Sequence, residues 1–527
     1  MPFQTTFTSA SDTMPLDLGS CIFASAESAD VIRYLAYLAL LLSVINALLS
    51  PANLRHIPTV GGPSFPFLTY RGAFNVLRDI KGVLRHGYEK YKNRTFKIAF
   101  PDRWVVVVTG KRLVDELQRL PDDAASFIQA TSELTAFGYI FGQRMREDPF
   151  HVPMIGSRLT KHLTAIFGEI DEEIHAAFQD YMPDCGDEWT PVHVIDVARD
   201  VVARASNRVF VGLPVCRNPK YLDMLVHFAV DVARTRNFIV WTPAPLKTLV
   251  SKTVTNIDGR LKEGMQYLRP VIEGRTGLMK KFGDSWSDKP DDMLQWIMDE
   301  VVARNAPAED ILRNILFINF AAIHTSSNSF TFAMYHLAAI PEFIGPLREE
   351  MERVIAAEGW TKTAMGKMWR LDSFLRESQR VNSINPLAVQ RMALKPVTFS
   401  DGTYIPAGTV LATPAYATHF DDENYADAAA FDPWRYVREK EQDLSPSKHQ
   451  FVTLSSDYVP FGLGKHACPG RFFAANELKI MMTYVVMNYD VKFEQEGIRP
   501  ENVHLGLAIM PDPKAKVLFR KRKSGEV

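Results

Sequence analysis

The sequence predicts a mainly α-helical body with small β-sheets, preceded by one amino-terminal transmembrane helix. Three observations carry that expectation. No charged residue occurs between Arg33 and Arg55, and this Leu/Ala-rich stretch, YLAYLALLLSVINALLSPANL, matches the roughly 20 apolar residues that cross a bilayer as a helix. Beyond it, apolar residues recur mostly at the spacing of one helix face. Only two segments carry the β-branched runs and turn residues of strands.

The 527 residues are 46% hydrophobic, 11% aromatic and 23% charged, the balance of a globular protein rather than a disordered, collagen-like or polytopic membrane chain. With 60 Lys and Arg against 61 Asp and Glu, no global field favours nucleic acid or any other polyanion as a partner. The four cysteines, Cys21, Cys185, Cys216 and Cys468, include no CxxC pair. Neither a disulfide scaffold nor a structural zinc site is indicated.

In chain order, residues 1–30 form a short leader that holds Asp12, Asp17, Glu27 and Asp30 but no Lys or Arg. It lacks the basic region of a secretory signal, so residues 31–51 read as an anchor ending near Pro51 rather than a cleaved peptide. A buried core helix is the other reading of such a stretch. From Arg55 to Lys97 nine basic residues face two acids, which keeps the body on the cytoplasmic side and the leader in the lumen. The sequon at Asn93 is then not expected to carry sugar. Residues 52–69, with Pro58, Gly61, Gly62 and Pro63, read as a stiff connector. Residues 70–527 show no repeat and no second linker, and read as one domain.

Within that domain, residues 96–109 and 397–412 read as strands. Residues 158–182, 192–211, 220–238, 293–304, 311–340, 342–358, 371–381 and 470–488 read as helices. In 311–340, Pro307, Glu309 and Asp310 suit the first turn and Pro341 the end. Its apolar flanks enclose the polar block His324-Thr325-Ser326-Ser327-Asn328-Ser329. Such side chains compete for backbone hydrogen bonds, and so bend or hydrate a helix.

The densest signal is FGLGKHACPGRF, residues 461–472, just before the helix at 470–488. Gly464 and Gly470 permit turns and close approach. Cys468 precedes a helix amino terminus, whose unpaired N–H groups lower a thiol pKa. A buried structural cysteine is the plainer alternative.

FxxGxxxCxG resembles the haem-binding signature of the cytochrome P450 family, and the resemblance covers roughly residues 55–515. It implies that fold, heme b, and Cys468 as the axial thiolate ligand of the iron, a ligand that favours O–O cleavage. It further implies a propionate partner in His466 and an aromatic shield for the sulfur in Phe461. Glu377-Ser378-Gln379-Arg380 matches the ExxR element, and FDPWRY resembles the FxPxRF segment. Glu377, Arg380 and Arg435 would then be a structural network, although an acid and a base three apart are usually a helix-surface pair. Arg391 stands where the family often has a propionate-binding arginine. The usual WxxxR is missing near 151–162, where His151 and Arg158 are the nearest substitutes.

On the long helix, Ala321-Ala322-Ile323-His324-Thr325-Ser326 resembles the family's oxygen-activating run, with His324 in place of the acid. Thr325 would hydrogen bond to bound oxygen, with His324 relaying protons; a core histidine is the alternative. The implied reaction is monooxygenation with O2. No flavin or nicotinamide fingerprint occurs, so electrons would come from NADPH–cytochrome P450 reductase docked near Lys465 and Arg471. The resemblance places such an enzyme in the endoplasmic reticulum membrane. Apolar segments at 126–142, 228–241, 384–389 and 505–511 suit a hydrophobic small-molecule substrate. Similarity to fungal enzymes of the ent-kaurene oxidase type suggests a terpenoid in secondary-metabolite biosynthesis. Rival readings are a haem-thiolate isomerase or dehydratase, a fatty-acid or polyketide hydroxylase, and a haem sensor.

Overall fold

The computed structural model describes Arg33, Tyr34, Tyr37 and Leu41, then residues 54–522 apart from 65–67, 243–245, 255 and 443–445. Apart from those first four residues, the expected anchor at 31–51 lies outside the described residues, as does the leader before it. Among the described residues no helix is long and apolar enough to cross a membrane. The chain divides into two units, residues 1–50 and 51–527.

The second unit is mainly helical, built around the helix Glu309–Ala339. Acids occupy its first turn and Pro341 follows it, as the sequence predicts. The helices Val194–Phe210, Pro219–Trp241, Met293–Ala303, Trp369–Val381 and Arg471–Asn488 pack against it. Burial is near complete on most of its length because apolar residues surround it on several sides. The polar block does not break it. Thr325 donates its hydroxyl to the Ala321 carbonyl at 2.7 Å, a back-bond that leaves the helical assignment continuous through residues 324–329.

A mixed six-stranded sheet flanks the helical layer. Its order is Thr59–Val60, Thr95–Ala99, Trp104–Val108, Val410–Pro414, Leu387–Ala393, Ala125–Ser126. The expected strand run at 96–109 is the hairpin Thr95–Ala99 and Trp104–Val108, with Ile98 opposite Val105. The run at 397–412 splits into Val397–Thr398, Tyr404–Ile405 and Val410–Pro414. In Leu387–Ala393 the register shifts between Ala388 and Arg391, and Val389 sits at φ +48°. A β-branched residue there is strained, and such bulges re-aim side chains beside functional sites.

Two expectations need correction. The run 158–182 is not one helix: a π-helical turn, Met154–Leu159, and a short helical piece precede the helix Phe167–Tyr181. The helix Ile257–Phe282 is absent from the sequence expectation because it contains Gly259, Gly264, Gly274, Gly277 and Pro270, residues of low helix propensity. Packing explains Gly264, where a Cβ would already lie 3.3 Å from Leu312 and from Met224.

Gly87 lies in the helix Ile80–Lys90, and a Cβ there would come within 2.5 Å of the Phe96 ring, which is buried at 0% exposure. Gly87→Ala is expected to cost about 1–3 kcal/mol by overpacking. Gly274→Ala, with nothing within 4 Å, is expected to add about 0.5–1 kcal/mol. Midpoints of chemical unfolding for the two variants should move in opposite directions.

Candidate functional site

The cysteine loop is held by its own backbone. The Cys468 N–H donates to the Phe461 carbonyl at 2.7 Å, and Ala467 N–H to the Gly464 carbonyl at 3.1 Å. Gly464 adopts φ +67°, and a Cβ on it would stand 2.0 Å from Gln118 Oε1, so glycine is required. The same purpose expected of Gly470 is not found: its φ is −86° and a Cβ would meet only Ile155 at 3.8 Å. Its contribution is instead the amide, which together with that of Arg471 points at the Cys468 thiol. The π-helical turn abuts this loop, since a Cβ on Gly156 would lie 3.4 Å from Pro469. Phe461 stands edge-on to Phe451, 5.5 Å between centroids.

Cys468 is exposed at the mouth of this loop, unlike Cys185 and Cys216, which are buried. Burial pushes its thiol above the ordinary value, and the Gly470 amide with the charge and amide of Arg471 only partly offsets this. The expectation that the helix terminus would favour a thiolate is therefore corrected: desolvation outweighs it. A coordinated metal cation deprotonates such a thiol outright.

Beside the loop, His466 stacks on Phe127, 5.3 Å between centroids, and its Nε2 lies 2.6 Å from Asp122 Oδ1. Burial is the main reason its pKa falls below the usual histidine value. Arg391 is 1% exposed. Its Nη1 donates to the Gln390 carbonyl at 2.7 Å, while Nε and Nη2 are buried without a partner. Burial pulls its pKa down to about 10. A buried guanidinium with two free donors is costly unless an anion completes it. Arg391 is near enough to His466 to lower that imidazole's pKa too, so the two form one anion-ready cluster. Sequence reasoning missed Phe127 and Asp122, which lie more than three hundred residues from His466.

The two substitutes for the missing WxxxR take other roles. Arg158 lies on Trp296, 4.7 Å from the ring, and pairs with Asp291 at 3.3 Å. His151 is buried, its Nδ1 2.9 Å from Asn314 Oδ1, and burial takes its pKa down to about 4.

On the long helix, Ala321 and Thr325, one turn apart, are exposed where most of the helix is buried. Nearby, Phe137, Phe141 and Phe317 form an aromatic cluster with centroids 5.0–5.2 Å apart. Phe228 and Phe320 each stand 5.9 Å from Phe141. Thr325 thus presents its side chain on the exposed strip of the long helix that Ala321 shares. His324 is half-buried beside Arg199 and the Val226 carbonyl, and its pKa is lowered, chiefly by desolvation. Its Nε2 has no partner.

Glu377 and Arg380 are both 0% exposed, so they are no surface pair. Arg380 donates Nε and Nη2 to Glu377 at 2.8 and 2.7 Å, and its other N–H groups reach the carbonyls of His419, Ala428 and Ala430. Arg435 Nε stands 3.3 Å from both Glu377 oxygens. All three residues foreseen as a network meet.

A family model described as Cytochrome P450 matches residues 155–519. The chain is 46% identical to cytochrome P450 monooxygenase 151 of Postia placenta over 89% of this chain and 95% of that one. It is 35% identical to a cytochrome P450 monooxygenase of Ganoderma lucidum over 89% and 92%. To ent-kaurene oxidase P450-4 of Gibberella fujikuroi it is 30% identical over 93% and 97%. The chain belongs to the cytochrome P450 family. It is a haem-thiolate monooxygenase, and its cofactor is heme b.

The residues present fit that group. The unpartnered Arg391 donors and the adjacent His466 suit carboxylates, and the exposed Cys468 suits an iron ligand. Glu377→Gln is expected to leave two buried guanidinium groups short of a counter-charge, at a cost of about 3–5 kcal/mol. Soluble expression and thermal unfolding of the haem-loaded protein should both show the loss.

Proposed function

We propose that this chain is a single-pass endoplasmic reticulum enzyme with its catalytic domain on the cytoplasmic side, which oxygenates a hydrophobic terpenoid in fungal secondary metabolism. NADPH–cytochrome P450 reductase supplies two electrons; one oxygen atom of O2 enters a C–H bond and the other leaves as water. The observation that carries the substrate class is the match, over nearly the whole chain, to a relative named for oxidising ent-kaurene. The phenylalanine cluster built on Phe317 of the long helix supports an apolar ligand without a charge to pair. Amino-terminal hydropathy and the basic flank support the anchor and its orientation.

When bound, haem would supply oxygen activation, and a thiolate ligand would favour O–O cleavage. Cys468 is the residue that holds the iron. Arg391 and His466 would hold the propionates, and Phe461 would shield the sulfur. The Thr325 hydroxyl hydrogen is used by the Ala321 carbonyl, so its oxygen presents lone pairs to the exposed patch. Rotation about χ1 exchanges that bond for donation outward. The aromatic wall excludes water around the substrate.

Coexpression with a fungal reductase, feeding of sesqui-, di- and triterpenes, and labelled O2 test this reading. A labelled, NADPH-dependent product that is abolished in Cys468→Ala is the expected result. Thr325→Val should lower product per NADPH by roughly tenfold or more. A rearranged, unlabelled product formed without NADPH would establish an isomerase instead.

Arg391→Met separates folding from haem binding. Removing an unpaired buried charge should stabilise the apoprotein. Losing charged hydrogen bonds to a propionate should weaken haem retention by about 10- to 100-fold. Haem transfer to apomyoglobin measures the second effect.

A further inference from the structure

The last turns of the helix Pro219–Trp241 meet a group of charges that the cysteine loop and the long helix do not use. Asp102 and Arg103 lie at the tip of the hairpin Thr95–Ala99 and Trp104–Val108. Arg103 donates Nε and Nη2 to Asp102 at 3.1 and 2.7 Å, and its Nη2 also reaches Glu133 at 2.7 Å on the helix Phe127–Thr135. Lys247, buried at the start of the helix Lys247–Val254, pairs with the same Asp102. Arg236 joins this group from the helix Pro219–Trp241. Its Nε donates to the Leu134 carbonyl and its Nη1 to Asn237 Oδ1, each at 3.1 Å, while Nη2 is buried with no partner. Among the described residues Arg236 has no ion pair. The carboxylate whose field it feels is Asp102, which Arg103 and Lys247 already share. Arg103, Lys247 and Arg236 thus face only Asp102 and Glu133, and the group is one anion short. Burial holds the Arg236 guanidinium below its ordinary pKa, with the Asp102 charge only partly opposing.

This group adjoins the phenylalanine cluster. The helix Phe137–Ile140, which carries Phe137, packs against both Pro219–Trp241 and Lys247–Val254. Tyr139 of that helix lies in the field of Glu133, Arg103 and Asp102. Phe228, edge-on to Phe141, precedes Arg236 on the same helix by about two turns, or about 12 Å of axis. Val232, one turn before Arg236, is buried between them.

We propose that Arg236 anchors a carboxylate of the substrate, so that the ligand is an acidic terpenoid whose apolar body lies against Phe137, Phe141 and Phe317 and whose charged end completes the Asp102, Arg103 and Lys247 group. The inference rests on the terpenoid monooxygenase reading and narrows it. The phenylalanine wall offers no charge to the body of the ligand; the one charge is met at the far end, on Nη2. One spare positive charge matches a monoanion and leaves nothing to balance a diphosphate. A neutral analogue that covers Arg236 shuts water out and leaves Nη2 unmet, which a site of this kind penalises.

The haem absorption shift on ligand binding to the full-length holoenzyme gives Kd without reductase or NADPH. The probes are dehydroabietic acid and a tetracyclic triterpene acid, each beside its methyl ester. In the native protein at least one acid should bind about 10- to 100-fold more tightly than its ester. In Arg236→Gln the two should converge, and Arg236→Lys should keep part of the preference. Lys247→Met leaves two cations for two carboxylates, so it should lower the preference several-fold with Arg236 still in place, a result that a merely structural Arg236 would not give. An unchanged carbon monoxide difference band would show the thiolate intact in each variant. A native protein that binds neither acid more tightly than its ester, or an Arg236→Gln variant with the native preference, would overturn the proposal. Arg236-dependent acid binding with no NADPH-dependent, labelled product would overturn the function reading and leave the anchor standing. Labelled product from a neutral terpene, formed equally by the native protein and Arg236→Gln with no preference for either acid, would do the reverse.

Discussion

One buried carboxylate organises the part of the fold that carries the site. Glu377 is fully buried and answers Arg380, Arg435 and the Asp432 amide together. A lone charge at that depth would be untenable, and the pairing is stable because every remaining donor of Arg380 finds a carbonyl. Those carbonyls belong to His419, Ala428 and Ala430, so one guanidinium fixes a connecting segment that has little regular structure. The constraint then passes to the cysteine loop. The His419 ring accepts the Val459 N–H on Nε2 at 3.1 Å, which places its own proton on Nδ1, toward the Arg380 carbonyl at 3.1 Å. Burial takes its pKa down to about 3, so the ring stays neutral and the bond pattern fixed. Val459 is nine residues before the cysteine, at the entrance to the loop that positions Cys468.

Local rules fail where the site is. Val389 takes a left-handed conformation that suits no β-branched residue, Arg391 keeps two donors unmet, and the long helix leaves Ala321 and Thr325 exposed in mid-core. Each would be a fault in a purely structural element. Departures of this kind concentrate where function overrides stability.

What the sequence made legible was local. FGLGKHACPGRF and the Glu377/Arg380 spacing are short-range patterns, and the long helix announces itself by Pro307, two acids and Pro341. Depth was not legible: three residues of spacing reads the same on a surface as in a core, so the burial of Glu377 waited on the fold. Partners far apart in the chain were equally hidden, as with Asp122 and His466 or Asp102 and Lys247. Desolvation is why the thiol expectation failed. A helix terminus is visible in sequence, but the surrounding protein that raises the Cys468 pKa is not.

Two electrostatic features of the site are complementary halves of one requirement. At the loop, burial favours the neutral thiol, and the Gly470 and Arg471 amides with the Arg471 charge only partly favour its anion; a metal cation would complete it. Beside the His466 ring, Arg391 is a buried cation whose Nε and Nη2 have no hydrogen-bond partner, and burial depresses its pKa with Asp122 only partly opposing. Haem carries iron at its centre and carboxylates at its edge, so a single ligand supplies a positive partner to Cys468 and a negative one to Arg391. Cofactor binding then removes two desolvation costs at once, and the apoprotein is the less stable state because its charges, rather than its apolar core, are incomplete.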